Sequence, residues 1–371
     1  MRDPRPFTHP THLTPLAVAL ALALATAPFD GGAVAAHDIT AATSLTSYAL
    51  RSELRNARLT RARPAPPAPR HARTAPLANT LPVTSCLDDG SPGTLRAVAA
   101  AAGEGDTLDL TQLTCSTITL TAGPIDTSVI GDHHLYDLTL AGPGRDALTI
   151  DGGSASQVFL LGGFSSDQGR VTINDLTIAH GAYAGGLAAC IEGFGGAVAL
   201  NNVTVTDCHA SGSVPLVFGG AVDVTTLEMT DSTISASTST ATGAANAAMG
   251  GGAYASNAMT LVRSTISGNR VSAPVAANGG YLTIGGGLYS RGDLVLVDST
   301  ISGNSIEASA TGQDARGGGV YVRGFATISG STIDGNSADG DGGGLFKAIF
   351  SNYGEPPPPN DTRLTIGDST I

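Results

Sequence analysis

Four aromatic residues, Tyr254, Tyr289, Tyr321 and Phe346, each stand four positions after the first glycine of a glycine-rich run. Rings spaced so regularly suit two kinds of chemistry. Displayed outward as a strip, they are candidates for binding sugar rings or a cell-surface partner. Paired across neighbouring strands, they add roughly 0.2–1 kcal/mol per pair to the fold. A second set of capable side chains directly precedes each Ser-Thr-Ile-like triplet: Asp175, Asn202, Asp231, Arg263, Asp298, Gly330 and Asp368. Carboxylates in a row suit a metal site or an acid–base pair, yet Arg263 between Asp231 and Asp298 makes charge compensation the simpler reading, worth little at a surface. Asp339-Gly340-Asp341-Gly342 resembles part of a calcium loop but lacks the spaced ligands of a complete one, so it reads as a turn. No cofactor or metal is implied.

Catalysis on polysaccharides would need more. A lyase wants clustered acids and a base; a hydrolase wants two suitably spaced carboxylates. The body of the chain has a single Lys, Lys347, and its Arg residues look scattered. Nine Arg precede residue 79, leaving 10 of the 19 basic residues against 27 of the 31 acidic ones, about −17 for the body. Such an acidic surface argues against nucleic acid.

The elements that must position these residues are set by two alternating markers. The apolar third residue of the triplet recurs at Ile178, Val205, Ile234, Ile266, Ile301, Ile333 and Ile371. Between these lie GGAVAL from Gly195, GGAVDV from Gly219, GGGAYA from Gly250, GGGLYS from Gly285, GGGVYV from Gly317 and GGGLFK from Gly342. Repeats of about 30 residues indicate a stacked architecture. Segments such as RVTI and LVLV alternate with the period of a half-buried strand. Three strands per coil, at LVLV, STI and GGGLYS, predict an all-β, right-handed parallel β-helix. Its inward column is Val198, Val222, Ala253, Leu288, Val320 and Leu345, and the next residues outward are Ala199, Asp223, Tyr254, Tyr289, Tyr321 and Phe346. Asn269, Asn304 and Asn336 are expected to turn the chain, with amides bonded between coils. Thr residues of the triplets face outward, but a second row beginning Thr172, Ala199, Glu228 is mixed, which disfavours an ice-binding array.

Residues 1–35 read as a secretory signal: Arg2 and Arg5, an apolar run from Leu13 to Ala27, and small residues at Ala33-Val34-Ala35. Residues 36–78, rich in Arg, Pro and Ala, predict a disordered linker. Residues 79–125 form a cap region with a short amphipathic helix over 91–103, Ser91 capping and Pro92 at the first turn, which covers the first coil. Repeats fill 126–371, and Pro356 to Pro359 form a protruding loop. Four cysteines in an exported chain, Cys86, Cys115, Cys190 and Cys208, suggest two disulfides. Three pairings are open, of which 86 with 115 and 190 with 208 close the shortest loops.

The Gly195-Gly196-Ala197-Val198 and Gly219-Gly220-Ala221-Val222 markers, with the tetrapeptides Ile266 to Asn269, Ile301 to Asn304 and Ile333 to Asn336, resemble the repeats of chlamydial polymorphic outer membrane proteins, with Ile in place of their Phe. Asp89-Gly90-Ser91-Pro92-Gly93 followed by Thr94-Leu95-Arg96-Ala97-Val98 is similar to the CSLREA-type leader of secreted bacterial β-helix proteins, without its acidic residue and nearby Cys. The resemblance covers roughly residues 80–371. It implies export, display at the cell surface or outer membrane, and adhesin-like binding of glycans, cells or matrix without catalytic residues; a polysaccharide lyase or hydrolase is the alternative. The final triplet, Ser369-Thr370-Ile371, falls in mid-coil, from which we expect a missing C-terminal segment or a contact with another chain.

Overall fold

A Val or Ile flanked by small polar residues, repeated once per coil, can bury its side chain only by stacking on its counterpart in the next coil. Ile118, Ile150, Ile178, Val205, Ile234, Ile266, Ile301 and Ile333 do so, as successive partners across an eight-stranded sheet whose pairs are all parallel. None of the eight is more than 1% exposed, and each buried aliphatic side chain is worth about 1.5–3 kcal/mol. The triplet is thus a coil marker. Its Thr residues, from Thr117 to Thr332, share one register and form an unbroken row.

This computed structural model describes residues 78–127, 137–161, 169–193, 195–214, 216–243, 247–273, 282–308, 314–348 and 364–371. The leader, nearly all of the linker and the Pro356–Pro359 loop lie outside them. The described chain is a parallel β-solenoid of about six turns. Among the described residues, no helix is long and apolar enough to cross a membrane.

One coil carries five short strands rather than the three expected. Starting from Asp293, they are Asp293–Val297, Thr300–Ser302, Ser305–Ala308, Asp314–Arg316 and Val320–Val322. The first and last belong to a sixteen-stranded sheet, joined where Val222–Thr230 and Ala253–Val262 run unbroken through both positions. The two unforeseen strands form six- and four-stranded sheets. Their sequences, such as Ala247–Met249 and Asp314–Arg316, are too short and too mixed to show a period.

The corners explain the polar columns. Asp175, Asn202, Asp231, Arg263, Asp298, Gly330 and Asp368 all have φ between 46° and 57°, the left-handed region that Asp, Asn and Gly tolerate best. Arg263 is the costly member, and its guanidinium donates two 2.7 Å bonds to Asp231. Ser232, Ser264, Ser299 and Ser331, each following a corner, are buried, and main-chain N–H groups of Ser264, Ser299 and Ser331 donate to Oγ of Ser299, Ser331 and Ser369. The triplet serines therefore satisfy corner groups that would otherwise be orphaned.

Asn269, Asn304 and Asn336 do not themselves turn the chain. The glycine before each takes the left-handed conformation, at φ 63°, 62° and 60°. The Asn amides instead point inward and form a ladder, Asn269 N–H donating to Asn304 Oδ1 and Asn304 N–H to Asn336 Oδ1, both at 2.9 Å. Opposite each amide stands the third glycine of a run: a Cβ on Gly287 would lie 2.8 Å from Asn304 Cγ.

The cap helix, α1, spans Leu95–Ala101 with Thr94 as its N-cap, three residues later than Ser91. Ser91-Pro92-Gly93 forms the preceding turn instead, Thr94 N–H donating to Ser91 O. Leu95 and Ala99 are buried, and α1 packs on the strands Thr107–Asp109 and Ile125–Asp126. Arg96 fastens it, donating to both Asp88 carboxylate oxygens at 2.9 Å and to the carbonyls of Gly123 and Pro124. Burial alone would raise the Asp88 carboxyl, but Arg96 and the Ala122 and Thr121 amides outweigh it and hold it below its ordinary value.

Candidate functional site

The aromatic strip is a ladder inside the protein. Tyr254, Tyr289 and Tyr321 are partners in neighbouring strands, followed by Phe346. Successive ring centroids lie 5.1, 5.1 and 5.3 Å apart, with Phe218 4.7 Å beyond Tyr254. The three tyrosines are at most 4% exposed; Phe346 is half-buried. Met249 and Ile284, from the four-stranded sheet, pack onto the rings. The rings do point away from the coil interior, but these strands cover them and create a second apolar core. Glycan stacking on this strip is therefore corrected to a packing role, each ring pair contributing about 0.5–1.5 kcal/mol.

Register changes the head of this column. Asp223 pairs with Glu192, not with Ala199. Ala199 lies between Thr172 and Glu228, and Val198 between Val171 and Leu227. The Gly195 marker therefore opens a different strand from the Gly219 marker, and Ile191 is the true partner of Val222. Glu192 and Asp223 are 0% and 1% exposed, and Ala188 N–H donates to Glu192 Oε2. Two carboxylates thus stand at one-coil spacing, both buried.

Cysteine pairing joins Cys86 to Cys115 and Cys190 to Cys208. Cys208 N–H donates to Ser237 Oγ, and Ser237 N–H to Asn269 Oδ1, so Cys208 heads the same inward column as the Asn ladder. Cys190 likewise heads the column of Ala221, Gly252, Gly287 and Gly319. One place in the coil is thus filled as Cys with Cys, then Ala with Ser, then Gly with Asn: a small partner wherever the other is large.

Surface charges are mostly matched between coils. Arg170 reaches across Ala199 to both Glu228 oxygens, at 2.8 and 2.6 Å, and Arg270 pairs with Glu307. Asp341 lies 3.9 Å from Arg316, whose guanidinium sits 5.1 Å over the Phe346 ring; no metal-ligating cluster occurs among the described residues.

Three basic residues, Arg291, Arg323 and Lys347, lie beside the ladder. Arg291 and Arg323 follow equivalent strands, since Arg291 N–H donates to Ala255 O and Arg323 N–H to Ser290 O in the preceding coils. Burial pushes the Tyr289 phenol above its ordinary value, and the Arg323 side chain, hydrogen-bonded to its hydroxyl, acts against this together with the charge of Arg291. Lys347 Nζ donates to Arg323 O at 3.1 Å. Phe325, two residues beyond Arg323, is 55% exposed, and its N–H donates to Asp293 Oδ1. The Arg residues that looked scattered are thus partly collected by register. Only the repeated Arg-Gly dipeptides at 291 and 323 signalled this in the sequence.

No protein-family model matches the chain, and no curated protein or solved structure shows significant similarity to it.

Proposed function

We propose that this is a non-enzymatic, exported β-solenoid of the cell surface or outer membrane, adhesin-like, binding glycans through side chains displayed on its coils. The observation that carries the reading is where the chemically capable columns lie. The aromatic ladder, the Ser and Asn ladders and the Glu192–Asp223 pair are all spent inside the fold. Apart from the Thr row of the triplets, what the described surface offers is a set of side chains that differ from coil to coil, which suits recognition better than a repeated reaction. Two disulfides favour an oxidising compartment and hence export. The resemblance to chlamydial polymorphic outer membrane proteins and CSLREA-type secreted proteins points the same way. Fold alone does not separate binder from enzyme.

The test is a glycan panel, neutral and acidic, presented to the purified chain with bound and released sugars measured separately. Saturable binding with the glycan recovered intact supports the reading. Sugar release abolished by a surface carboxylate substitution would establish the lyase or hydrolase alternative.

A further inference from the structure

We infer that the outward face of the triplet sheet binds ice, its threonine hydroxyls seating the water rows of a crystal surface. The inference goes beyond the glycan-binding reading and does not depend on it.

This face repeats from coil to coil. Thr204, Thr233, Thr265, Thr300 and Thr332 hold one register position in five successive strands, each half-buried and next to a buried Val or Ile. Among the described residues, none gives these five hydroxyls a hydrogen-bond partner, whereas Thr177 Oγ1, one coil earlier, donates to Arg145 O. Adjacent strands stand about 4.8 Å apart, too far for one threonine oxygen to bond the next in the same rotamer, since O–H···O bonds run about 2.5–3.0 Å. The hydroxyls are therefore left to water.

In the sequence the mixed row beginning Thr172, Ala199 and Glu228 looks like their neighbour, but it belongs to the sixteen-stranded sheet. The row that shares the Thr sheet lies two residues on: Thr206, Ser235, Ser267 and Ser302, ending at Asp334. It too is hydroxylic. Thr206 Oγ1 donates to Asp207 Oδ2 and accepts from Ser235 Oγ, so Ser267 and Ser302 are its open members. From Thr204 to Ser302 the two rows carry no charge, which would draw water into a radial shell. Charges stand at the corners instead, as Asp207, Asp298 and the Arg263–Asp231 pair.

Spacing names the ligand. Water bonded tetrahedrally at about 2.75 Å places second neighbours roughly 4.5 Å apart, the repeat of a row in ice. The coil repeat exceeds this by about 0.3 Å. Five hydroxyls thus drift from a matching row by about 1.2 Å, well under half its repeat. A flexible solute gains little from such a period, whereas a lattice engages every coil at once. The match is kept rigid, because the seven pairings of this sheet run without a register shift and the Ser264–Ser299–Ser331 ladder fixes the corners. Preorganisation of this kind lowers the entropic cost of binding.

The experiment measures thermal hysteresis and partition into growing ice for the full chain, Thr265→Lys, Thr265→Val and a control, Thr260→Lys, which lies outward on the sixteen-stranded sheet. The full chain is expected to enter ice and to hold the freezing point below the melting point. Lys sets a charge and a long stem in mid-row and abolishes both effects; Val keeps the shape and strand preference but not the hydroxyl, and weakens both. Thr260→Lys leaves both intact, and all three variants unfold at the wild-type temperature. If Thr265→Lys unfolds early, Thr265→Val decides. Absence of both effects in the full chain overturns the inference. So does activity that Thr265→Lys leaves unchanged or that Thr260→Lys lowers equally, and unchanged activity in Thr265→Val overturns the role of the hydroxyls.

Discussion

Replacing Asn304 with Ala removes the centre of the buried amide ladder. Its Oδ1 accepts from Asn269 N–H at 2.9 Å and from Asn269 Nδ2 at 3.0 Å, while its Nδ2 donates to Ile266 O and to Asn336 Oδ1, each at 2.9 Å. Asn304 is 0% exposed, so water cannot substitute without entering the core. Each buried group left without a partner costs about 1–3 kcal/mol. Asn336 Oδ1 keeps the Asn304 N–H, and Asn269 Nδ2 keeps Ile234 O. Asn269 N–H is then the group left without a partner, while Ile266 O loses its second donor but stays in the parallel ladder, giving about 2–4 kcal/mol in all. At roughly 2–4 °C per kcal/mol for a domain of this size, the melting temperature falls by on the order of 5–15 °C.

Asn304→Ser should cost less, because Ser237 fills the same column and its Oγ accepts the Cys208 N–H. Adding Gly287→Ala should cost further stability, because its Cβ would still lie 2.7 Å from the Gly319 main-chain oxygen even with residue 304 shortened. Thermal unfolding followed by circular dichroism orders the three variants. Equal melting of Asn304→Ala and wild type, or a Gly287→Ala/Asn304→Ser variant as stable as Asn304→Ser, would refute the reasoning.

Tyr321→Ala, which opens a gap between Tyr289 and Phe346, should destabilise by about 3–5 kcal/mol in denaturant titration. A cost below about 1 kcal/mol would mean that the ladder is not a core. Because the Asp88 carboxyl is depressed below its ordinary 3.8 in the folded state, its stabilisation is present above that pH and is lost as pH falls through the folded value. Asp88→Asn should therefore lower stability near neutrality and flatten the acid limb of the stability profile. The Tyr289 phenol is raised, so its contribution is complete below its ordinary 10.0 and declines as pH climbs through the folded value. Tyr289→Phe should flatten that alkaline limb. Removing the Cys190–Cys208 bridge, which closes a separation of 18 residues, should cost about 3 kcal/mol by the chain-entropy argument, read as a shift in the denaturant midpoint.

The periodic residues were the legible ones. Ile and Val of the triplets mark coils because one buried side chain per coil must stack, and the glycine runs mark turns where coils meet main chain to main chain: a Cβ on Gly251 would lie 2.2 Å from Gly286 O. The aromatic spacing was legible too, but not its burial. Coverage depends on Leu216–Phe218, Ala247–Met249 and Leu282–Ile284, strands too short to carry a period of their own. Glu192 was hidden because the glycine pair at Gly195 imitates a marker three residues beyond the true partner of Asp223. Arg291 and Arg323 lie 32 positions apart, and only the pairing of Ser290 with Val322 brings them side by side. Residues whose meaning is repetition could be read from the chain, whereas those whose meaning is adjacency required the register.

The most direct test of the account is a calorimetric titration of neutral and acidic oligosaccharides into the purified chain, with the same samples then analysed for sugar products. The account predicts saturable binding of a glycan that is recovered at its original length. Shortened or unsaturated products, or no heat of binding with any glycan, would contradict it.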